Sequence, residues 1–288
     1  MPTFHFISLG CPKNRVDSEV VLAGLLGRGF KSLDQAPGAE VVIVNTCSFI
    51  QPAVEEALDH LLAAAQLKKE GAVRFVVSLG CLPQRYGPDL AEGLSEVDLF
   101  VTAKAIDQAA EKIEALVLGQ SEARFIDSPA RFLYQAATPR TLTTSPGTAY
   151  VKIAEGCPNR CAFCTIPAIR GRQLSRTRAD ILAEIRELTA RGVQEINLVA
   201  HDLTAFGQDL KPPDSLKELL WDIDAQNPGP AWVRLFYLNP GLVDRELLEI
   251  VAGARRVLPY LDLPLQHSVP RLLKRMNRRP LAKEPLAW

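Results

Sequence analysis

Residues 149–164 read Ala-Tyr-Val-Lys-Ile-Ala-Glu-Gly-Cys-Pro-Asn-Arg-Cys-Ala-Phe-Cys: a strand-length apolar run, Tyr150–Ala154, feeds directly into three cysteines. Cys157, Cys161 and Cys164 have C-x3-C-x2-C spacing, which lets one loop wrap three corners of a cubane. A loop that follows a strand lies at the carboxyl mouth of a βα array, where such folds keep their chemistry. The alternation continues downstream. Further strands are expected at Glu195–Ala200, Trp232–Tyr237 and Tyr260–Leu263, and helices at Thr177–Arg191, Asp214–Gln226 and Val243–Val251. A βα unit of a full barrel takes roughly 30 residues, so the stretch from Tyr150 to Trp288 holds four units and a fragment. The end, from Arg279 onward, carries no helix terminus or closing strand. The expectation is a partial (β/α) barrel over residues 148–288, truncated at the C-terminus.

Upstream, the first ~125 residues show a second alternation, the pattern of a parallel α/β sheet. Strands are expected at Thr3–Leu9, Val41–Asn45, Arg74–Ser78 and Asp98–Thr102, with helices at Asp17–Gly27, Pro52–Lys69 and Lys104–Leu118. Val-Val-Ile-Val at 41–44 is continuously apolar, as a strand buried on both faces must be. Ligands of such sheets bind beyond the carboxyl ends of the strands. Cys11, Cys47 and Cys81 each stand one to three residues past an expected strand end, so the fold itself brings three distant thiols to one edge. Between the two series, residues 127–147 carry Pro129, Pro139 and Pro146 and little periodicity, the signature of a linker. The expected domains are therefore 1–126 and 148–288.

The six cysteines of this 288-residue chain are all used by these two groups of three. Three thiolates per site suit an iron–sulfur cluster with one iron left open for another ligand. Structural zinc sites normally take four ligands in paired Cys or Cys/His arrangements; zinc and inert cysteines are the alternatives. Thirty-three basic and 33 acidic residues give a formal net charge of zero, so no global signature of nucleic-acid binding is present. No apolar run approaches the ~20 residues needed to span a bilayer. Met-Pro-Thr-Phe-His-Phe at the start is not a signal pattern. A reducing cytosol then favours metal binding over disulfides for these cysteines.

Six segments carry a family resemblance: Ser8-Leu-Gly-Cys-Pro-Lys-Asn-Arg-Val-Asp-Ser-Glu19, Val44-Asn-Thr-Cys-Ser-Phe-Ile50, Gly80-Cys-Leu-Pro-Gln-Arg-Tyr86, Tyr150-Val-Lys-Ile-Ala-Glu-Gly-Cys157, Ile169-Arg-Gly-Arg172 and Tyr260-Leu-Asp-Leu-Pro-Leu-Gln-His267. Together they resemble the radical S-adenosylmethionine methylthiotransferases, whose N-terminal domain holds a second cluster through three cysteines. Gly-Cys-Pro-Lys-Asn14 and Gln-His-Ser-Val269 resemble the ribosomal-protein branch more than the tRNA-modifying one. The resemblance implies methylthiolation of the β-carbon of an aspartate on small-subunit ribosomal protein number twelve. It implies two 4Fe–4S clusters, on Cys157, Cys161 and Cys164 and on Cys11, Cys47 and Cys81, with S-adenosylmethionine as cofactor. The first cluster would cleave the cofactor reductively; the second would present the sulfur.

The same resemblance puts Phe163 beside the adenine and His201 and Asp202 where the methionine amino group binds. Gln266 and His267 end the fourth expected strand and line the pocket or satisfy loop backbone. Implied partners are the ribosomal protein, an electron donor of flavodoxin or ferredoxin type and a sulfur donor, in the cytoplasm and away from membrane. The resemblance also implies a C-terminal substrate-binding β-barrel domain, which the expected truncation would leave out. Two other readings stand beside this one: tRNA adenosine methylthiolation, and a non-catalytic cluster-binding fragment. Arg271, Lys274, Arg275 and Arg278 form a basic stripe, read as a solvated face. His5 and His60 are read as structural.

Overall fold

The apolar runs of the first half pair into one six-stranded sheet. The structure, a computed structural model, describes residues 1–121 and 123–278. The strands are β1 (Thr3–Ser8), β2 (Lys31–Ser32), β3 (Val41–Thr46), β4 (Phe75–Gly80), β5 (Leu99–Thr102) and β6 (Phe125–Ile126), in the order β2-β1-β3-β4-β5-β6. Every pairing is parallel. All six residues of β3 are buried, as a central strand covered on both faces requires. Phe4, Ile43, Val77, Leu79 and Val101 pack on one side with Val21 and Leu25 of helix α1 (Pro12–Gly27). Val42, Val44, Val76 and Phe100 pack on the other with Val54 and Leu61 of α2 (Gln51–Lys69). Two short helices, α3 (Cys81–Tyr86) and α4 (Pro88–Gly93), lead to β5, and α5 (Ala109–Val117) follows it.

Helix α1 begins at Pro12, five residues before the expected Asp17. Proline at the first helical position has its φ already set and no amide to satisfy, so the helix nucleates directly after Cys11. Buried Glu19 on α1 is held by Arg140 Nε at 2.7 Å and by the Thr143 amide at 2.8 Å. Burial pulls the Arg140 guanidinium below its ordinary pKa, and the Glu19 carboxylate works against that shift. His5, for which the sequence offered no partner, contacts the Leu33 carbonyl through Nδ1 at 2.9 Å.

Two compact units are present: Met1–Phe132 with Thr138–Thr143, and Leu133–Ala137 with the chain from Thr144 on. The 127–147 stretch is divided between the two units. Tyr134 packs its ring under the Arg176 guanidinium at 4.5 Å, and the Ala136 amide donates to Asp180 at 2.9 Å, which fixes the exchanged segment to the second unit.

In that unit β7 (Thr148–Lys152), β8 (Ala154–Glu155), the four-residue α6 (Ile166–Ile169), β9 (Leu174–Ser175), α7 (Arg178–Ala190), β10 (Glu195–Val199), α8 (Leu216–Ala225), β11 (Trp232–Leu235) and α9 (Arg245–Gly253) follow in order. Strands β11, β10 and β7 form a parallel sheet, and β8 and β9 a small antiparallel pair. Ala149, Val151, Ile196, Leu198, Val233 and Leu235 are fully buried, together with Ile181 and Ile185 of α7 and Leu219 and Leu220 of α8. The register aligns Tyr150, Asn197 and Arg234 in one polar row across the sheet.

The strand expected at Tyr260–Leu263 does not form. One parallel bridge, Val233 to Val257, replaces it. Pro259 has no amide to offer a ladder, and the Tyr260 amide turns back to the Leu258 carbonyl at 2.7 Å. Asp262 still reaches the sheet end, accepting the amides of Tyr237 and Leu238. Helix α10 (Pro270–Arg275) follows. The expected open chain end from Arg279 lies outside the described residues.

Candidate metal centres

Strands β1, β3 and β4 are neighbours in the sheet, and Cys11, Cys47 and Cys81 follow their carboxyl ends. Strand order reverses between β1 and β3, the crevice where open α/β sheets bind ligands. The amides that open α1 add a positive helix end there, favourable to an anionic group. Two glycines make the close approach possible. Gly10 stands at φ 85, and a β-carbon there would lie 2.7 Å from Cys47 Cβ. Gly80 stands at φ 92, where a β-carbon would lie 2.3 Å from Asn45 Oδ1. That is the physical content of the repeated Ser-Leu-Gly-Cys.

A buried polar web holds the three turns together. Asn14 Nδ2 donates to the Leu9 carbonyl at 2.8 Å and to that of Thr46 at 3.3 Å. Asn45 Nδ2 donates to the Asn14 carbonyl at 3.0 Å and to Ser18 Oγ at 2.8 Å. Thr46 Oγ1 donates to the Leu79 carbonyl at 2.6 Å and accepts the Leu82 amide at 3.1 Å. Ser48 Oγ donates to the Cys81 carbonyl at 2.9 Å. Asn14, Asn45, Thr46 and Ser48 lie in segments that carry the family resemblance, but none of them had a role assigned from sequence alone. The one available signal was the polar run Asn-Thr-Cys-Ser directly after an apolar strand.

The loop of the second unit is gripped from several sides. Gly156 at φ 70 passes so close to Gly171 and Arg172 that a β-carbon would sit 2.3 Å from the Arg172 carbonyl oxygen. The Cys157 amide donates to Gly171 at 3.1 Å, so Ile169-Arg-Gly-Arg172 cradles the loop's start. Asn159 Nδ2 donates to Asp202 Oδ2 at 2.6 Å and lies 3.4 Å from Cys157 Sγ. Asn239 and Thr204 also donate to Asp202, which ties the ends of β10 and β11 to the loop. Arg278 Nη1 reaches Cys161 Sγ at 3.8 Å.

Burial pushes the Cys157 thiol above its usual pKa, and the hydrogen bonds from Asn159 work the other way. Cys164 is likewise pushed up by burial. Metal binding at this loop therefore displaces protons from the thiols. Beneath the loop, burial alone would raise the Glu155 carboxyl. The Lys152 ammonium at 2.8 Å and the Arg170 guanidinium at 3.6 Å outweigh it and hold the group well below the carboxylate range.

Of the other residues singled out, Asp202 is buried and bonded to the cysteine loop, and His201 beside it acts on Glu155 electrostatically. Phe163 is 46% exposed on the loop itself. Gln266 is exposed at φ 66, a conformation rare for a side-chain-bearing residue, and makes no hydrogen bond to the loop among the described residues. Arg278 is half-buried and bonded, unlike exposed Arg271, Lys274 and Arg275, so the basic stripe is not one uniform solvated face.

The donor chemistry fits iron–sulfur clusters. Each site offers three thiols and no other metal ligand in its turns, and two of the sulfurs of the Cys157–Cys164 loop receive N–H groups, as cluster thiolates do.

Sheet, loop and thiols define a class of protein: an α/β chain with a three-cysteine loop at the mouth of a partial barrel and a three-cysteine sheet edge before it. Residues 3–102 match the Uncharacterized protein family UPF0004, and residues 151–287 match the Radical SAM superfamily. The ribosomal protein uS12 methylthiotransferase RimO of Sorangium cellulosum is 45% identical over 280 residues, covering 95% of this chain and 56% of that protein. That of Desulfotalea psychrophila is 47% identical over 275 residues, covering 96% and 61%. The chain thus spans little more than half the length of these curated relatives. Among solved structures, the radical S-adenosylmethionine methyltransferase TsrM of Kitasatospora setae shares the fold, with a TM-score of 0.63 at 17% identity over 96% of this chain and 61% of its own. The chain belongs to the radical S-adenosylmethionine methylthiotransferase family. Membership of the radical superfamily implies a four-iron cluster and S-adenosylmethionine. No helix among the described residues is long and apolar enough to cross a membrane.

Proposed function

We propose that this chain carries the two cluster-bearing domains of an enzyme that methylthiolates the β-carbon of an aspartate on ribosomal protein uS12. The observation that carries the reading is the three-thiol loop, held at the strand ends by Gly171, Asn159 and Arg278, in a chain 95% of which aligns with a curated uS12 methylthiotransferase. When bound, the cluster and S-adenosylmethionine supply the one-electron reduction and the radical that an unactivated C–H requires, which no acid or base in this chain can replace.

The chain's own residues do the rest. Cys157, Cys161 and Cys164 hold the first cluster while Asp202, through Asn159, keeps the loop against β10 and β11. Phe163 would offer the adenine a ring face, and His201, Asp202 and Gln266 would bind the methionine end. Cys11, Cys47 and Cys81 would hold a second 4Fe–4S cluster, which would supply the sulfur to be transferred. The functional division is residues 1–126 for that cluster, 127–147 as connection and 148–288 for the radical chemistry. A flavodoxin- or ferredoxin-type donor supplies electrons, a separate donor supplies sulfur, and the reaction takes place in the cytoplasm.

The test is reconstituted chain with reductant, sulfide, S-adenosylmethionine and either uS12 or tRNA, followed by mass spectrometry. A methylthio mass gain on uS12 alone is expected; a gain on tRNA alone overturns the substrate. The chain covers 56% of one relative and 61% of another, and this favours a second reading, a cluster-binding portion that does not turn over by itself. Intact clusters with no cleavage of S-adenosylmethionine would select it.

A further inference from the structure

Three contacts reach the cysteine loop from the segment that follows α10. The Ala162 amide donates to the Met276 carbonyl at 2.8 Å, and Asn277 Nδ2 to the Arg160 carbonyl at 2.7 Å. Arg278 donates through Nη1 to Cys161 Sγ at 3.8 Å, and through Nη2 to the Pro264 carbonyl at 3.2 Å. Asn277 stands at φ 50, a left-handed position that asparagine tolerates and that turns the chain back after the helix. One guanidinium therefore spans the cysteine loop and the loop after Asp262, while its neighbours Arg271, Lys274 and Arg275 remain exposed.

We propose that Arg278 is a positioning residue for the cluster on Cys157, Cys161 and Cys164: anchored on Pro264, it fixes the Cys161 thiolate and raises the cluster's reduction potential. This rests on the reading that the loop carries a four-iron cluster. Reduction adds negative charge, and a fixed cation with an N–H donor on one thiolate stabilises the reduced state more than the oxidised one. Arginine suits the position because its planar fork makes two bonds in fixed directions and stays charged at any working pH, whereas lysine supplies a point charge without the fork.

The test compares wild type, R278K and R278Q as full chains, reconstituted anaerobically and titrated with reductant while the reduced clusters are followed by electron paramagnetic resonance. Expected is a shift of the loop cluster to lower potential in R278Q, a smaller one in R278K, and no shift of the cluster on Cys11, Cys47 and Cys81, which serves as internal reference. An unshifted loop cluster in R278Q, or equal shifts at both clusters, overturns the proposal. Should R278Q fail to retain the loop cluster, amide exchange of residues 157–164 in iron-free protein decides. Faster exchange in R278Q but not in R275Q supports the anchor; unchanged exchange in R278Q overturns it. A wild-type chain that loads no four-iron cluster on this loop would instead contradict the underlying cluster reading, and the exchange comparison separates the two failures.

Discussion

Gly80 is a residue whose missing side chain matters as much as any ligand. It stands between β4 and Cys81 at φ 92 with Asn45 Oδ1 where a β-carbon would go, so Gly80→Ala adds backbone strain and a clash together. The expected cost is on the order of 2 kcal/mol, read from urea unfolding, together with loss of iron at the Cys11, Cys47 and Cys81 site. Glu155 gives a pH-dependent counterpart. Its pKa is held below the usual carboxylate value, so its ion pairs with Lys152 and Arg170 contribute stability above about pH 4.3 that fades as pH falls further. Glu155→Gln leaves two buried cations less well paired and is expected to cost roughly 3–5 kcal/mol at neutral pH. The gap between wild type and variant, followed by denaturant unfolding, should shrink below about pH 4; a gap that widens toward acid would contradict the assignment.

The grouping of the six cysteines could be seen in the sequence because three share one loop and three follow recognisable strand ends. Their supports could not. Asn14, Asn45 and Thr46 bond to groups brought together only by sheet order, and Asn159 finds Asp202 only once β7 and β10 are paired.

Elements were legible where a continuous apolar run met a helical stripe, as in β3 followed by α2, whose expected bounds lie within a residue of those observed. They failed where one residue overrode the pattern. Pro12 extended α1 back to Cys11, and Pro259 stopped the fourth strand of the second unit after a single bridge. The two-residue strands β2 and β6 carry too few residues to show a period. Helix α9 tests the reading at this scale. Asp244 caps it, accepting the Leu247 amide at 2.9 Å, and that bond first and the Lys217 ammonium second hold its carboxyl below the ordinary value. Asp244→Ala should cost about 1 kcal/mol in urea unfolding while leaving iron content unchanged; iron loss at equal stability would mean that the helix shapes the site more directly.

At the scale of the whole molecule, the sequence anticipated two α/β units, each with three thiols at the carboxyl ends of parallel strands. The crossing of residues 133–143 between those units was not anticipated, because Tyr134 under Arg176 and Arg140 on Glu19 are long-range pairings with no local signature. The central claim is that both thiol triplets hold clusters, and metal content tests it most directly. Iron and acid-labile sulfide per chain should each come to about eight after anaerobic reconstitution, as two four-iron clusters require, and substitution of Cys47 or of Cys161 should each halve the count. Zinc bound without sulfide, or a count that neither substitution changes, would contradict the account.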